Sequence, residues 1–185
     1  TTEKNVSEYA SLADVNITLK TFETSDEYWQ GFIDGACDIS TTDGSALVGR
    51  KVKQQPAHQE WVIFPATPIS KEPLGPTYGQ NDSKWADAIN WTVYATIIAD
   101  EYGVDQSNVG AGSSYEGELQ RLLGGDGELQ TTMGLSADAF YQVIKQVGNY
   151  SDIYNRNLNP VGLYREGSAN AGWKDGGLIY APPAR

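Results

Sequence analysis

Apolar residues recur along the first third of the chain with two alternating periods. Val6, Tyr9, Ala10 and Ala13 fall at helical spacing behind Thr1 and Thr2, whose hydroxyls can cap a helix start. Val15, Ile17 and Leu19 then alternate, as in a half-buried strand. Trp29, Phe32, Ile33 and Ala36 return to one helical face, with Asp26 as an acid in its first turn. Residues 37–42 read as a strand, 44–54 as a helix, and "WVIFPA" as another strand. Helix and strand alternating at this pitch predict an α/β lobe, a parallel sheet flanked by helices.

The stretch "PATPISKEPLGPTYG" interrupts this rhythm with prolines that suit neither a helix interior nor a central strand. It divides the chain into an α/β lobe at 1–66, a crossing at 67–76 and a mainly helical region at 77–185. In that region Asp82 is placed to cap a long helix ending near Gly103, with Trp85, Ile89, Val93 and Ile97 along one face. Ser136 is expected to cap a second long helix that turns Phe140, Val143, Ile144 and Val147 inward. "NVGAGSSYEG" and "LLGGDGELQ" read as loops, and the tail "AGWKDGGLIYAPPAR" as irregular chain.

Charge narrows the function classes. Thirteen basic against 24 acidic residues give a net charge of −11, without the Lys/Arg clusters that nucleic acid binding requires. No apolar stretch approaches the ~20 residues of a membrane span. One cysteine and one histidine assemble no zinc site of the usual kind, and no phosphate loop or dinucleotide fingerprint is present. No metal and no cofactor are therefore expected. "TTDGS" has the look of an aspartate-nucleophile phosphatase loop, but Thr41 occupies the nucleophile position and cannot form the acyl-phosphate. Five Asn-x-Ser/Thr sequons begin at Asn5, Asn16, Asn81, Asn90 and Asn149. Residues 1–15 show neither an initiator Met nor a signal-peptide pattern, so a processed or trimmed product is expected.

The residues that suggest chemistry lie at one predicted edge. In an open parallel sheet, ligands sit outside the carboxyl ends of the strands. Thr1 and Thr2 precede the first helix, where hydroxyls and unpaired amides suit a carboxylate. Asp43 ends a strand at the same edge and can accept hydrogen bonds from an ammonium group. Together they describe a receptor for the α-amino acid zwitterion. Spacing alone equally allows Asp43 to be only the cap of the helix beginning at Gly44. Thr24, Ser25 and Asp26, between a strand end and a helix start, are candidates for contact with a ligand side chain.

"TTEKNVSEY", "GACDISTTDGSAL", "ISKEPLGP", "WTVYATIIADEYGV", "IKQVGNYSDIYNRN" and "GGLIYAPPAR" resemble consecutive segments of the general L-amino-acid-binding proteins. These are the periplasmic substrate-binding subunits of polar amino acid ABC transporters. The resemblance implies a type II periplasmic binding protein, with two lobes closing on one amino acid. It implies that Thr1, Thr2 and Glu3 match the end of the turn that holds the ligand carboxylate, and that Asp43 matches the aspartate that holds the α-amino group. It further implies a periplasmic, non-enzymatic protein that takes polar or varied L-amino acids and works with membrane permease subunits. The chain departs from the family in lacking most of the first lobe, including an arginine that pairs with the ligand carboxylate. Family members often carry a second cysteine on the strand before the threonine turn, near the one matching Cys37. Here Cys37 stands alone and is expected to be a buried, unreactive thiol. An incomplete site and exposed helix faces imply weak binding and self-association. Two other readings stay open: a dehydratase of the same fold acting on a prephenate-like acid, and an interaction domain that binds no small molecule.

Overall fold

The helices form where apolar spacing and capping residues coincide. The structure, a computed structural model, describes residues 1–110, 115–124 and 127–185. It divides into two units, Thr1–Leu74 and Gly75–Arg185.

Unit 1 carries α1 (Thr2–Leu12), α2 (Ser25–Ile33) and α3 (Gly44–Gln54). Thr24 opens α2 with a capping box: its hydroxyl accepts from the Glu27 amide, and the Glu27 carboxylate accepts from the Thr24 amide. That satisfies two of the donors a helix start leaves open. Gly31 lies on the face of α2 that meets the Phe22 ring, where a Cβ would stand 2.9 Å from Cζ. Ala36 falls beyond the end of α2. Ala10 and Trp29 are the buried apolar residues of this unit.

The predicted parallel sheet is not formed. Residues 15–19, 37–42 and 61–66 run without helix or ladder, and none is assigned as a strand. Residues 16–23, 37–42 and 62–66 neither donate nor accept a backbone hydrogen bond among the described residues. Alternating apolar residues make a strand possible, but a ladder also needs a partner at hydrogen-bonding distance, about 4.8 Å away. These segments have none. Their side chains are exposed accordingly, with Val62 at 70% and Phe64 at 62%.

Unit 2 packs around α4 (Ser83–Glu101). Asp82 caps it as expected, its carboxylate accepting from the Trp85 amide at 3.0 Å. The buried face differs from the expected one: Trp85 is exposed, whereas Ala95, Thr96, Ile97, Ile98 and Ala99 are all buried. The turns of α4 at 95–99, buried on every side, are surrounded by neighbours rather than laid on a sheet. Its core joins Ala95, Ile98 and Ala99 to Val104, Leu122, Leu123, Phe140, Ile144 and Ala184. Between the two stretches read as loops runs α5 (Gly117–Leu123), and α6 (Glu128–Thr132) begins within the second. Residues 108–110 and 115–116 are free of helix, as expected, and 111–114 and 125–126 lie outside the described residues.

The second expected helix is α7 (Ala139–Val147), shorter than expected, and α8 (Tyr150–Leu158) follows it. Asp138, not Ser136, is the N-cap residue of α7. Phe140 and Ile144 are fully buried, but Val147 is 41% exposed. Gly148 breaks the pair at a φ of +84°, where a Cβ would also collide with the Asp152 carboxylate. Asn149 then restarts the helix with a second capping box, and its amide nitrogen donates to the Val104 carbonyl at 3.0 Å. The tail is irregular, with a 3-10 turn at Trp173–Asp175 and a single bridge between Gly172 and Ile179. Arg121 ties its end down by donating to the Ala184 carbonyl at 2.7 Å. Ahead of the tail, the Arg165 guanidinium pairs with Asp100 at 2.9 Å, donates to the Asn170 carbonyl and Ser151 hydroxyl, and lies over Tyr150.

Candidate functional site

Two helix starts in unit 1 supply the residues singled out from the sequence. Thr1 is the N-cap residue of α1; its carbonyl accepts from the Asn5 amide at 3.0 Å, while its hydroxyl makes no capping bond. Thr2 is the first helical residue, and both threonines are exposed. The first amides of a helix have no intrahelical acceptor, so this terminus points unpaired donors at its surroundings. Glu3 is the acid of the first turn.

Asp43 occupies the N-cap position of α3. Its carbonyl accepts from the Leu47 amide at 2.9 Å, but its carboxylate makes no capping hydrogen bond. The side chain is half-buried and joins no ion pair among the described residues. Its carboxylate is uncommitted in a position that helix amides make favourable for negative charge. No hydrogen bond joins Asp43 to Thr1 or Thr2.

The three side-chain candidates fare differently. Thr24 is engaged in its capping box. The Asp26 carboxylate, 87% exposed, pairs with Arg50 at 2.9 Å and so fastens α2 to α3. Ser25 opens α2 without a side-chain hydrogen bond. Cys37 is a free thiol but only half-buried, which corrects the buried position expected for it. The strand meant to enclose it has no neighbours.

The sequence did not reveal an aromatic cluster in unit 1. Trp29 stacks on Trp61 with centroids 6.0 Å apart, and Phe32 meets Trp61 edge-on at 5.1 Å. The Arg50 guanidinium lies over Trp29 at 5.9 Å. The cluster walls a cavity of about 330 Å³ that is also lined by Ile39, Ser40, Leu47, Lys51 and Phe64. Trp29 Nε1 and Ser40 Oγ are buried without a hydrogen-bond partner. A second, more open cavity of about 460 Å³ runs between α1 and residues 15–19. Neither cavity is lined by Thr1, Thr2 or Asp43. Apolar spacing had put Trp29 and Phe32 on one face of a helix, but spacing carries no information about Trp61, which meets them from another segment. No group of three or more His, Cys, Asp or Glu side chains among the described residues could hold a metal ion. No helix there is long and apolar enough to cross a membrane.

No family model matches the chain. Individual proteins do. The glutamate/glutamine/aspartate/asparagine-binding protein BztA of Rhodobacter capsulatus is 37% identical over 190 residues, which cover all of this chain and 55% of BztA. The general L-amino acid-binding periplasmic protein AapJ of Rhizobium johnstonii is 38% identical over 191 residues, with the same coverage. An ABC transporter periplasmic binding protein from Brucella ovis, solved with glutathione bound, superposes with a TM-score of 0.89 at 38% identity. That superposition covers the whole of this chain and 58% of the other. The chain thus spans little more than half the length of the proteins it matches, and over that span it superposes on the Brucella ovis protein. It is homologous, from end to end, to part of the amino-acid-binding proteins of ABC transporters.

Proposed function

We propose that this chain is part of a periplasmic solute-binding protein that presents amino acids to the membrane permease subunits of an ABC importer. The observation that carries the reading is the similarity to BztA and AapJ along all 185 residues. The ligands named for the relatives share one piece of chemistry, an ammonium and a carboxylate on the same carbon. Glutathione keeps that pair on its γ-glutamyl end. Asp43 would receive the ammonium, and the hydroxyls of Thr1 and Thr2 with the unpaired amides of α1 would receive the carboxylate. The uncommitted Asp43 carboxylate and the uncapped start of α1 support these roles. Of the side-chain candidates, Ser25 is the readiest, because Thr24 and Asp26 would first have to leave their present partners.

In this reading residues 1–66 form the ligand-binding α/β lobe, with its parallel sheet completed by further strands. Residues 67–76 cross between lobes, and 77–185 return to the other lobe. The chain binds and releases without turnover.

The test is an NMR titration of the 185-residue chain with glutamate, glutamine and glutathione. Shifts should appear at the amides of 2–4 and 43–45, with dissociation constants of about 1 mM, roughly 4 kcal/mol of binding. Asp43→Asn should remove them while leaving the rest of the spectrum in place. Saturable shifts that survive Asp43→Asn, no shifts at all, or product formation from a prephenate-like acid would each overturn the proposal.

A further inference from the structure

Three Asp-Gly pairs lie wholly within the described residues: Asp34-Gly35, Asp43-Gly44 and Asp175-Gly176. In such a pair the side-chain carboxyl carbon and the next amide nitrogen can close a five-membered ring, because glycine sets no Cβ beside that nitrogen. Closure needs an amide that is not already donating and a carboxyl that is not already held. Two of the pairs fail this condition. The Gly35 amide donates to the Phe32 carbonyl at 3.1 Å, and the Asp34 carboxylate accepts from the Gln30 side chain at 2.7 Å. The Gly176 amide donates to the Trp173 carbonyl at 3.3 Å. At Asp43-Gly44 both groups are open. Gly44 is the first residue of α3, where an amide has no intrahelical acceptor, and it donates to no other group among the described residues. The Asp43 carboxylate makes no capping bond.

We infer that Asp43-Gly44 is a site of spontaneous modification, at which aspartate converts to isoaspartate through a cyclic imide. The Gly44 nitrogen attacks the Asp43 carboxyl carbon, and the amide proton leaves with the carboxyl hydroxyl as water. Water then opens the ring at either carbonyl. One opening restores aspartate. The other leaves the main chain running through Cβ and Cγ, with the carboxylate directly on Cα. No mass is gained or lost, and no reactant other than water takes part.

The surroundings permit the motion that closure requires. Asp43 is extended, at a ψ of 142°, so the peptide after it must turn to bring the Gly44 nitrogen beside Cγ. Residues 37–42 hold no backbone hydrogen bond that resists this turn. The turn gives up the bond from the Leu47 amide to the Asp43 carbonyl, at 2.9 Å, which is the end bond of α3, and helix ends open most readily. Gly44 is exposed, which admits the water that opens the ring. Packing does not dictate the glycine: a Cβ at Gly44 would meet no atom within 4 Å. Where Asp43 receives the ligand ammonium, conversion shortens the arm that carries the carboxylate and lengthens the main chain at the start of α3. A chain would then lose its ammonium receptor with age. That consequence rests on the amino acid site proposed above, whereas the conversion itself does not.

The experiment incubates the folded chain at neutral pH and mildly raised temperature, then maps isoaspartate by electron-transfer fragmentation, which tells it from aspartate at each position. Isoaspartate should accumulate at 43 about tenfold or more faster than at 34 and 175, where hydrogen bonds hold the attacking amides. In denaturant the three rates should converge, because the folded structure makes the selection. Gly44→Ala is accommodated by the open space around Gly44. It sets a Cβ beside the attacking nitrogen and should slow conversion at 43 by about tenfold or more. Absence of isoaspartate at 43, equal rates at the three pairs in the folded chain, or conversion of Gly44→Ala as fast as the parent would each overturn the inference. A preference for 43 that persists unchanged in denaturant would assign it to neighbouring sequence and would also overturn it. The mapping uses no ligand, so a chain that converts at 43 but binds no amino acid would uphold this site and overturn only the proposed function.

Discussion

Unit 2 and unit 1 are both built on helices, yet among the described residues only unit 2 has an extended interior. Unit 2 surrounds the last turns of α4 with α5, α7 and the tail, and its Phe140, Ile144, Leu122 and Ala95 are fully buried. Unit 1 buries Ala10 and Trp29 and leaves Leu12, Val15, Ile39, Val62 and Phe64 largely in water. The contrast separates two ways of satisfying an apolar sequence. A helical cluster closes on itself, because each helix pairs its backbone internally and needs only side-chain neighbours. A sheet cannot close this way, because each strand needs another strand beside it.

The largest expected effect comes from the two interiors. Phe140→Ala should cost unit 2 about 4 kcal/mol, the range for emptying a filled aromatic site. Trp29→Ala should cost unit 1 only about 2 kcal/mol, because the cavity beside it is already open. Hydrogen exchange resolved along the chain separates the two units, and equal losses would mean that unit 1 has an interior after all.

Ion pairs sharpen the contrast next. Arg165 and Asp100 are 10% and 20% exposed. Arg165→Met leaves the mostly enclosed Asp100 carboxylate without its partner and should destabilise unit 2 by about 3 kcal/mol. Asp26→Asn breaks the pair with Arg50 across α2 and α3, but the Asp26 side chain is 87% exposed. Its loss should be about 0.5 kcal/mol. Chemical denaturation of the single and double variants checks both values. A large effect at Asp26 would show that α2 and α3 depend on that bridge.

The smallest effect is a pH dependence within unit 2. Burial pushes the Tyr150 phenol above its usual 10.0, against the opposing pull of Arg165. The folded state therefore holds this proton more tightly than the unfolded state. The stability this gives is intact below pH 10.0 and is lost as pH rises beyond it. Unit 2 should weaken above that point, and Tyr150→Phe should flatten the decline. A decline that is the same in Tyr150→Phe would assign it to other groups.

Local signals made much of this legible. Asp82 announced α4 as a capping residue, and residues 44–54 read as the helix that forms there. The Thr24–Glu27 box follows from the same chemistry. What failed was whatever depends on neighbours distant in sequence. Trp85 sits at helical spacing with Ile89 and Val93 but lies on the open side of α4, because the surrounding helices gather at residues 95–99. Gly148, at a φ of +84°, is the local sign that ends α7 at Val147. The alternation at 37–42 and 61–66 specifies a strand's faces and leaves its partner unspecified. The candidate site is legible to the same degree: residue chemistry marks Thr1, Thr2 and Asp43, while their mutual placement is a tertiary property.

One buried side chain bears on where the protein can be produced. Asn149 opens α8 and donates its amide nitrogen to the Val104 carbonyl, at 5% exposure. The same residue begins Asn149-Tyr150-Ser151, an acceptor sequence for N-linked sugar. In a eukaryotic secretory host, glycosylation there competes with folding. A chain that folds first hides the nitrogen, whereas a chain glycosylated first can neither restart α8 nor reach Val104. Secreted material would then divide into an unmodified folded fraction and a glycosylated fraction that fails quality control. A bacterial host avoids that division.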